Sequence, residues 1–263
     1  MRPNTLRHLH RDGRTIVNGW LSINSPYLAE LAAHQGYDAL TVDMQHGMIG
    51  FDGAVAMFQA IATTPVIPMA RPSENSPAEI MRLLDAGAYG IICPMISTAS
   101  DAARLVAACR YPPVGARSFG PARGLLYGGL DYFTAANTEI LVFAMIETQG
   151  ALDNLDAIAS TEGIDGVFIG PADLSASMGH VGNPGHPNVQ AAIEGAIRRI
   201  NLAGKAAGIL TPDEALARHY LGLGALFVAV GLDTALLARH TSALASRFKG
   251  AVAAPAPASG KVY

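Results

Sequence analysis

Two carboxylates in the sequence are candidates for binding a metal ion. Glu147 lies in the segment MIET at the end of an apolar run, and Asp173 lies in GPADLS, after the next such run. If both runs are neighbouring parallel strands, the two carboxylates lie at one edge of the sheet, where they can bind Mg²⁺ or Mn²⁺ through oxygen. The alternative is that each acid caps a helix or a turn. Spacing alone leaves both interpretations open.

Three further residues whose side chains could take part in catalysis or substrate binding follow apolar runs in the same way. Asp43 and His46 lie three residues apart in VDMQHG. A histidine near a carboxylate can act as a general acid or base near neutral pH, whereas the alternative is a loop histidine beside a helix-capping aspartate. Arg71, in PMARP, carries a guanidinium suited to a substrate carboxylate or a developing enolate. Its alternative is a salt bridge to Glu147 or Asp173.

The chain offers little for amine chemistry. Of its 18 basic residues only three are lysines: Lys205, Lys249 and Lys261. A Schiff-base aldolase needs a lysine that points into the site from a strand. Lys205 precedes a predicted strand, and the other two lie in the C-terminal segment. If carbon–carbon chemistry occurs here, a metal ion must therefore supply the electron sink.

These candidates must be positioned by alternating strands and helices. Short apolar runs, typical of parallel strands covered on both faces, alternate with longer amphipathic runs. The predicted strands are 15–21, 39–42, 66–70, 90–94, 141–147, 166–169, 206–210 and 226–230. The predicted helices are 26–35, 51–63, 77–85, 99–109, 151–160, 189–203, 213–221 and 234–247.

Eight β/α units predict a (β/α)8 TIM barrel, in which active sites lie at the carboxyl ends of the strands. A doubly wound open sheet is the alternative, weakened because no Gly-x-Gly-x-x-Gly follows the first strand. We expect one barrel domain over residues 1–249 and a disordered tail over 250–263. The segments 110–140 and 170–188 are predicted to be long functional loops.

Four further residues have weaker signals. Trp20, the only tryptophan, ends the first predicted strand and either lines the site or fills the barrel mouth. Asp85 ends a helix at the opposite face of the barrel, which favours a surface or subunit contact. Arg123, in the first long loop, either reaches a substrate or is solvated; the same holds for Arg117.

The composition excludes several classes of protein. A net charge of −3, with 15% charged residues and no basic block, argues against nucleic-acid binding, and 50% hydrophobic residues argue against disorder. Two cysteines without a CxxC pattern argue against a disulfide scaffold. The longest apolar stretch is shorter than the about twenty residues of a membrane-spanning helix, and no signal peptide is visible. We therefore expect a soluble, cytoplasmic protein with no membrane or nucleic-acid partner.

Several motifs resemble those of a known enzyme family. They are VDMQHG, PMARP, RLLDAGAYGIICPM, RYPPVGARSFG, MIET, GVFIGPADLSASMGHVGNPGHP and GKAAGIL, spread over residues 19–231. In them the chain is similar to the metal-dependent class II pyruvate aldolases of the 4-hydroxy-2-oxoheptanedioate aldolase family. The resemblance implies a TIM barrel of the phosphoenolpyruvate/pyruvate type. It also implies a homohexamer of two trimers in which the last helix is exchanged between subunits.

The resemblance assigns a role to each strand-end residue. It implies that Glu147 and Asp173 bind a divalent cation, Mg²⁺, Mn²⁺ or Co²⁺. It implies that Arg71 contacts the pyruvate oxygen and the enolate. Proton transfer would involve His46, supported by Asp43.

The resemblance also implies roles for residues around these five. The backbone at Ala172 and Asp173 would hold the pyruvate carboxylate, and Trp20 and Leu210 would line the pocket. Asp85 would reach the active site of a neighbouring subunit.

The sequence departs from the family pattern at three places. Some members have a glutamine where this chain has Met145, so a polar contact to bound pyruvate is lost. The second-strand segment reads DMQHG where better-known members have Asp-Gly-Glu-His-Ala. The 110–130 loop also diverges, and we expect it, with Arg123, to contact the far end of the aldehyde.

The expected activity is reversible aldol cleavage and addition of 4-hydroxy-2-oxoacids, with pyruvate or hydroxypyruvate as donor and an aldehyde as acceptor. One alternative is a lyase acting on a malyl or citramalyl CoA thioester, although the chain lacks a lysine cluster for the nucleotide phosphates. A second is decarboxylation of oxaloacetate through the same enolate. A third is a binding barrel without turnover, which has no need of a general acid/base pair beside a metal site.

Overall fold

Eight parallel strands close into a barrel in their sequence order. The structure, a computed structural model, describes residues 1–249, so the tail predicted over 250–263 lies outside the described residues. The strands are β1 (Ile16–Leu21), β2 (Ala39–Asp43), β3 (Ile67–Arg71), β4 (Gly90–Cys93), β5 (Leu141–Ile146), β6 (Gly166–Ile169), β7 (Ala206–Leu210) and β8 (Ala225–Leu232). Closure between β1 and β8 confirms the predicted TIM barrel and excludes the open sheet.

Large aromatic side chains fill the barrel interior. Phe168 packs against Trp20 and Phe227 with ring centroids 5.6 and 6.0 Å apart, and Phe143 lies 5.0 Å from Phe227. All four rings are almost completely buried. The strands are apolar on both faces because one face packs on these rings and the other on helices.

Thirteen helices accompany the strands in the described part of the chain. They are α1 (Thr5–Arg11), α2 (Pro26–Ala33), α3 (Phe51–Ile61), α4 (Pro77–Ala86), α5 (Ala99–Cys109), α6 (Ala122–Gly128), α7 (Tyr132–Glu139), α8 (Gln149–Asp153), α9 (Leu155–Ala159), α10 (Pro171–Ser177), α11 (Pro187–Leu202), α12 (Glu214–Gly222) and α13 (Asp233–Lys249). Seven predicted helices are found close to their predicted bounds. The eighth, 151–160, is two short helices, α8 and α9.

The prediction of two long loops was wrong, because both segments contain helices. α6 and α7 lie within 110–140, and α10 lies within 170–188. Tertiary contacts rather than helix propensity stabilise α6 and α7. Arg123 of α6 donates to the Ala86 carbonyl at 2.7 Å, and the buried Tyr132 hydroxyl of α7 donates to the Leu84 carbonyl at 3.4 Å.

A salt-bridge cluster lies at the amino ends of the strands. Asp165, just before β6, accepts from Arg7 at 2.9 Å and 3.3 Å and from Arg110 at 3.1 Å. Lys205, just before β7, donates to the Ile164 carbonyl at 2.8 Å, so it lies at this face, as the sequence predicts.

None of the helices within residues 1–249 combines the length and the apolar character needed to span a bilayer.

Candidate active site

Asp43 and Arg71 form a buried salt bridge at the carboxyl ends of β2 and β3. They are the last residues of their strands and stand opposite each other in the parallel register. Arg71 Nε donates to Asp43 Oδ1 at 2.7 Å, and Nη2 donates to Oδ2 at 2.5 Å. Such a two-point contact fixes the plane of the guanidinium. The alternative partners considered for Arg71, Glu147 and Asp173, do not form this salt bridge.

Trp20, near the carboxyl end of β1, contacts both residues of this ion pair from the barrel interior. Its indole Nε1 donates to Asp43 Oδ2 at 3.1 Å, and the Arg71 guanidinium lies 4.9 Å from the centre of its ring. Trp20 is 1% exposed. It therefore fills the barrel at the mouth, beneath the Asp43–Arg71 ion pair, and does not face solvent itself.

Asp43 is held in its ionised form. Burial raises its pKa, but the hydrogen bonds and charge of Arg71, together with the Trp20 and His46 N–H groups, outweigh burial, so the pKa lies below its ordinary value. The same carboxylate accepts the backbone N–H groups of Gln45 at 3.0 Å and His46 at 3.3 Å. Asp43 thus fixes both Arg71 and the turn that carries the exposed His46 side chain.

Glu147, directly after β5, is buried against the backbone of two neighbouring strands. Its Oε1 accepts the backbone N–H of Met95 at 2.7 Å, and it is 3% exposed. Met95 has a φ of 56°, a left-handed conformation that is uncommon for a residue with a side chain. A Cβ atom on Gly170 would lie 2.8 Å from Glu147 Oε2 and 2.9 Å from Glu147 Cβ, so a larger residue there must displace Glu147. The Met95 contact has no signal in the sequence.

Asp173 lies near enough to Glu147 for its carboxyl group to affect the pKa of Glu147. Burial is the main cause that raises the pKa of Glu147 to about 7; the charge of Asp173 adds to the rise, while the Met95 N–H and the Arg71 charge oppose it. Two neighbouring carboxyl groups at the barrel mouth supply the oxygen ligands that a divalent cation prefers. Within residues 1–249, no group of three or more His, Cys, Asp and Glu side chains could hold a metal ion, so the fit rests on this pair.

The structure brings two further predicted residues to this face and leaves two elsewhere. Ala172 lies beside Asp173 in the first turn of α10, and Leu210 ends β7 half-buried. Asp85 and Arg123 do not reach the site of their own chain. Asp85 accepts from Arg117 at 2.7 Å near the end of α4, the same helix end that Arg123 contacts.

Arg117 is fully buried, so the interpretation of this side chain as solvated was wrong. Its guanidinium lies 4.5 Å from the ring centre of Tyr111 and donates to the Tyr132 hydroxyl at 3.0 Å. The Asp85 carboxylate is therefore held in place by a salt bridge to the buried guanidinium of Arg117 in the same chain.

A closed eight-stranded barrel with charged side chains clustered at the strand carboxyl ends defines a (β/α)8-barrel enzyme. Comparison with protein-family models identifies its class further. The chain belongs to the HpcH/HpaI aldolase/citrate lyase family, whose model matches residues 17–240.

Two curated relatives have similar names. The hydroxypyruvate/pyruvate aldolase of Pseudomonas aeruginosa is 49% identical over 263 residues, which cover 99% of this chain and 98% of the relative. The 4-hydroxy-2-oxo-heptane-1,7-dioate aldolase of Salmonella dublin is 50% identical over 248 residues, covering 93% and 94%. The chain is accordingly an aldolase, a carbon–carbon lyase.

Solved structures share the fold. A HpcH/HpaI aldolase/citrate lyase family protein from Burkholderia cenocepacia J2315 superposes with a TM-score of 0.88 at 34% identity, covering 94% of this chain and all of that one. A citrate lyase beta subunit from M. tuberculosis, solved with oxaloacetate and magnesium, has a TM-score of 0.56 at 16% identity, covering 82% and 90%. The latter likeness concerns the fold alone.

Proposed function

We propose that this aldolase reversibly cleaves and forms 4-hydroxy-2-oxoacids, with pyruvate or hydroxypyruvate as the enolate donor and an aldehyde as the acceptor. The observation that carries the proposal is the position of Arg71, Glu147 and Asp173 after or at the carboxyl ends of β3, β5 and β6, with Arg71 near enough to Glu147 for its charge to lower the pKa of that carboxyl group. One cation-binding acidic pair and one guanidinium can then act on the same small anion. The names of the two curated relatives support these substrates.

Glu147 and Asp173 are the residues that would hold the divalent cation, Mg²⁺, Mn²⁺ or Co²⁺. When bound, the cation supplies a Lewis acid that stabilises negative charge on the 2-oxoacid.

Arg71 binds the donor and stabilises the enolate. Its Nε and Nη2 each give one N–H to Asp43, which leaves three of its five N–H groups for substrate oxygens. Because Asp43 and Trp20 hold the guanidinium in place, little reorganisation accompanies the rise of negative charge on the substrate. The backbone at Ala172 and Asp173 holds the carboxylate of the donor.

His46 is the residue that we assign to proton transfer, at C3 of the donor and at the C4 hydroxyl of the aldol. The backbone N–H groups of Gln45 and His46 donate to Asp43, so the turn that carries the His46 ring is fixed at the barrel mouth. Asp43 itself is not the base, because Arg71 keeps its pKa low.

The direct test measures pyruvate release from a 4-hydroxy-2-oxoacid before and after EDTA treatment, and again after Mg²⁺ or Mn²⁺ is restored. We expect EDTA to abolish turnover and the cation to restore it. Full activity in EDTA, or a lysine adduct trapped by borohydride in the presence of pyruvate, would contradict the metal-dependent route.

The alternatives are less supported. Relatives at 49% and 50% identity are named aldolases, which disfavours a CoA-thioester lyase. Oxaloacetate decarboxylation uses the same enolate, so we expect some rate on oxaloacetate. Parallel assays decide between the two: a higher kcat/KM for oxaloacetate than for every aldol tested would make decarboxylation the main activity.

A homohexamer built from two trimers is part of the proposal, with α13 exchanged between subunits. Leu237, Leu244 and Phe248 on α13 are exposed apolar side chains, which supports a contact with another subunit. Light scattering coupled to size-exclusion chromatography tests the assembly. A cytoplasmic location belongs to the same proposal and is tested by cell fractionation.

A further inference from the structure

A buried aspartate outside the candidate active site links the last helix to the loop after β1. Asp233 is the first residue of α13 and follows β8 directly. It is 7% exposed and is the buried residue of α13, whose other side chains are partly or fully exposed.

The Asp233 carboxylate accepts backbone N–H groups from two separate elements. The Ser22 N–H lies 3.0 Å from each carboxylate oxygen, and the Ile23 N–H lies 2.9 Å from Oδ2. The third bond, from Thr234 at 2.7 Å, is an ordinary contact at a helix start. The first two bonds reach a loop about 210 residues earlier in the chain, so they do more than cap α13.

Ser22 in turn contacts the loop that carries His46. The Ser22 carbonyl accepts the Met48 N–H at 3.1 Å, and the Ser22 hydroxyl lies 3.5 Å from Asp43 Oδ2. A Cβ atom on Gly47 would lie 3.1 Å from Ser22 Cα, so the two loop backbones are in direct contact. A continuous path of hydrogen bonds therefore runs from Asp233 through Ser22 to both ends of the His46 turn.

We propose that Asp233 is a positioning residue for the reaction: through Ser22 it fixes the β2–α3 loop and, with it, His46. The inference rests on the proposed role of His46 in proton transfer. Without the carboxylate, the Ser22 and Ile23 N–H groups lose their acceptor and the Ser22 peptide shifts. The Met48 N–H then loses a fixed acceptor, and the turn loses its second anchor. A displacement of about 1 Å at a reacting group lowers turnover by up to about 100-fold.

The matched control is Asp38→Asn. Asp38 contacts the amino end of β1, whereas Asp233 contacts Ser22 and Ile23, just after the carboxyl end of β1. Asp38 accepts the Val17 N–H at 2.9 Å, so this variant also removes a carboxylate from a β1 backbone amide, but at the amino end. Asp233→Asn replaces one accepting oxygen by an NH₂ donor, so a single oxygen can no longer accept the Ser22, Ile23 and Thr234 N–H groups together. Asp233→Glu keeps the charge and moves it by one methylene, so its effect should be smaller than that of asparagine.

Four measurements on the metal-loaded full-length enzyme test the proposal. We expect Asp233→Asn to lower kcat by about 10- to 100-fold, with KM changed by less than about twofold. Amide hydrogen exchange at Ser22, Ile23 and Met48 should accelerate. Affinity for Mn²⁺ should not change, because Glu147 follows β5 and Asp173 lies in the first turn of α10, away from the Ser22 loop. Fluorescence of Trp20, the only tryptophan, reports the same region without turnover.

The outcomes separate this proposal from the proposed function. Normal kcat in Asp233→Asn, or unchanged exchange at Met48, would overturn the positioning role. So would a loss of thermal stability alone, equal to that of Asp38→Asn. If Asp233→Asn does not fold, Asp233→Glu gives the same comparison. A wild-type enzyme without aldolase turnover would instead refute the proposed function, while the exchange data would still decide whether Asp233 holds the loop.

Discussion

The carboxylate of Asp43 and the guanidinium of Arg71 meet edge to edge across two neighbouring strands, with nitrogen–oxygen distances of 2.7 and 2.5 Å. The parallel register of β2 and β3 places them directly opposite each other. Both are buried, so removal of either partner leaves a charge without its counterion at the centre of the site. This pair gives the first two predictions.

Asp43→Asn should destabilise the fold by about 3–5 kcal/mol at pH 7, because the buried Arg71 loses its anion. The folded pKa of Asp43 lies below its ordinary value. The stabilisation is therefore present above the unfolded pKa of about 3.9 and is lost as pH falls through the lower folded pKa. Urea unfolding at pH 7 and between pH 5 and 2.5 measures both effects. Equal acid sensitivity in variant and wild type would contradict the prediction.

Arg71→Lys should lower kcat/KM by at least about 100-fold, because one ammonium cannot contact Asp43 in two places and also bind the donor. The control is Arg7→Lys, since Arg7 forms a two-point contact with Asp165 at the other end of the barrel. We expect that variant to lose stability and keep its kcat. Steady-state kinetics on a 4-hydroxy-2-oxoacid compare the two, and near-normal rates for Arg71→Lys would reject its role.

The metal-free enzyme should become less stable as pH rises from 5 to 8. The pKa of Glu147 is about 7 in the folded chain, above the unfolded value of about 4.3, so the folded state binds this proton more tightly. The stabilisation is full below the unfolded pKa and is lost as pH approaches 7, by up to about 3 kcal/mol. Thermal unfolding in EDTA measures it. The decline should be absent in Glu147→Gln and should be reversed by saturating Mn²⁺.

Gly170→Ala should weaken metal binding by about 10- to 100-fold, because the new Cβ would lie 2.8 Å from Glu147 Oε2 and displace the carboxylate. Gly150→Ala is the control, since no atom lies within 4 Å of a Cβ there. Isothermal titration with Mn²⁺ compares the two variants. Equal affinity in both would show that Glu147 adjusts without cost.

Asp85→Asn tests whether a neighbouring subunit contributes to the site. Loss of the counter-charge to the fully buried Arg117 should cost about 1–3 kcal/mol in any case. If Asp85 acts in trans, mixed oligomers of Asp85→Asn and Arg71→Lys should be more active than either variant alone, because some interfaces combine two intact halves. Activity no higher than the average of the separate variants would exclude a role in trans.

Much of the fold was predictable because it follows from apolar periodicity. Each of the eight predicted strands is found within two residues of its predicted ends. A short apolar run between turn residues fits few structures other than a buried parallel strand. The helices α6 and α10 were not predicted, because their segments are rich in glycine and proline and are stabilised by contacts with distant residues. Arg123, for example, joins α6 to the end of α4.

The site was predictable as a set of residues but less so as a set of contacts. Strand-end position identifies Asp43, Arg71 and Glu147. It does not identify the partner of each, which explains why Asp43 was assigned to His46 and not to Arg71. The Met95 contact depends on an uncommon backbone conformation without a sequence signal. Asp233 was missed because the predicted eighth strand ends two residues too early.

The grouping of three carboxylates with one guanidinium at the barrel mouth bears on the order in which the proposed ligands bind. With Glu147 ionised, Asp43, Arg71, Glu147 and Asp173 carry two net negative formal charges. A 2-oxoacid is itself an anion, so this charge disfavours its binding until a dication has balanced it. Under the proposed function we therefore expect the cation to bind before the donor. Because such coupling of affinities is reciprocal, we also expect a bound donor to raise the affinity of the site for the cation.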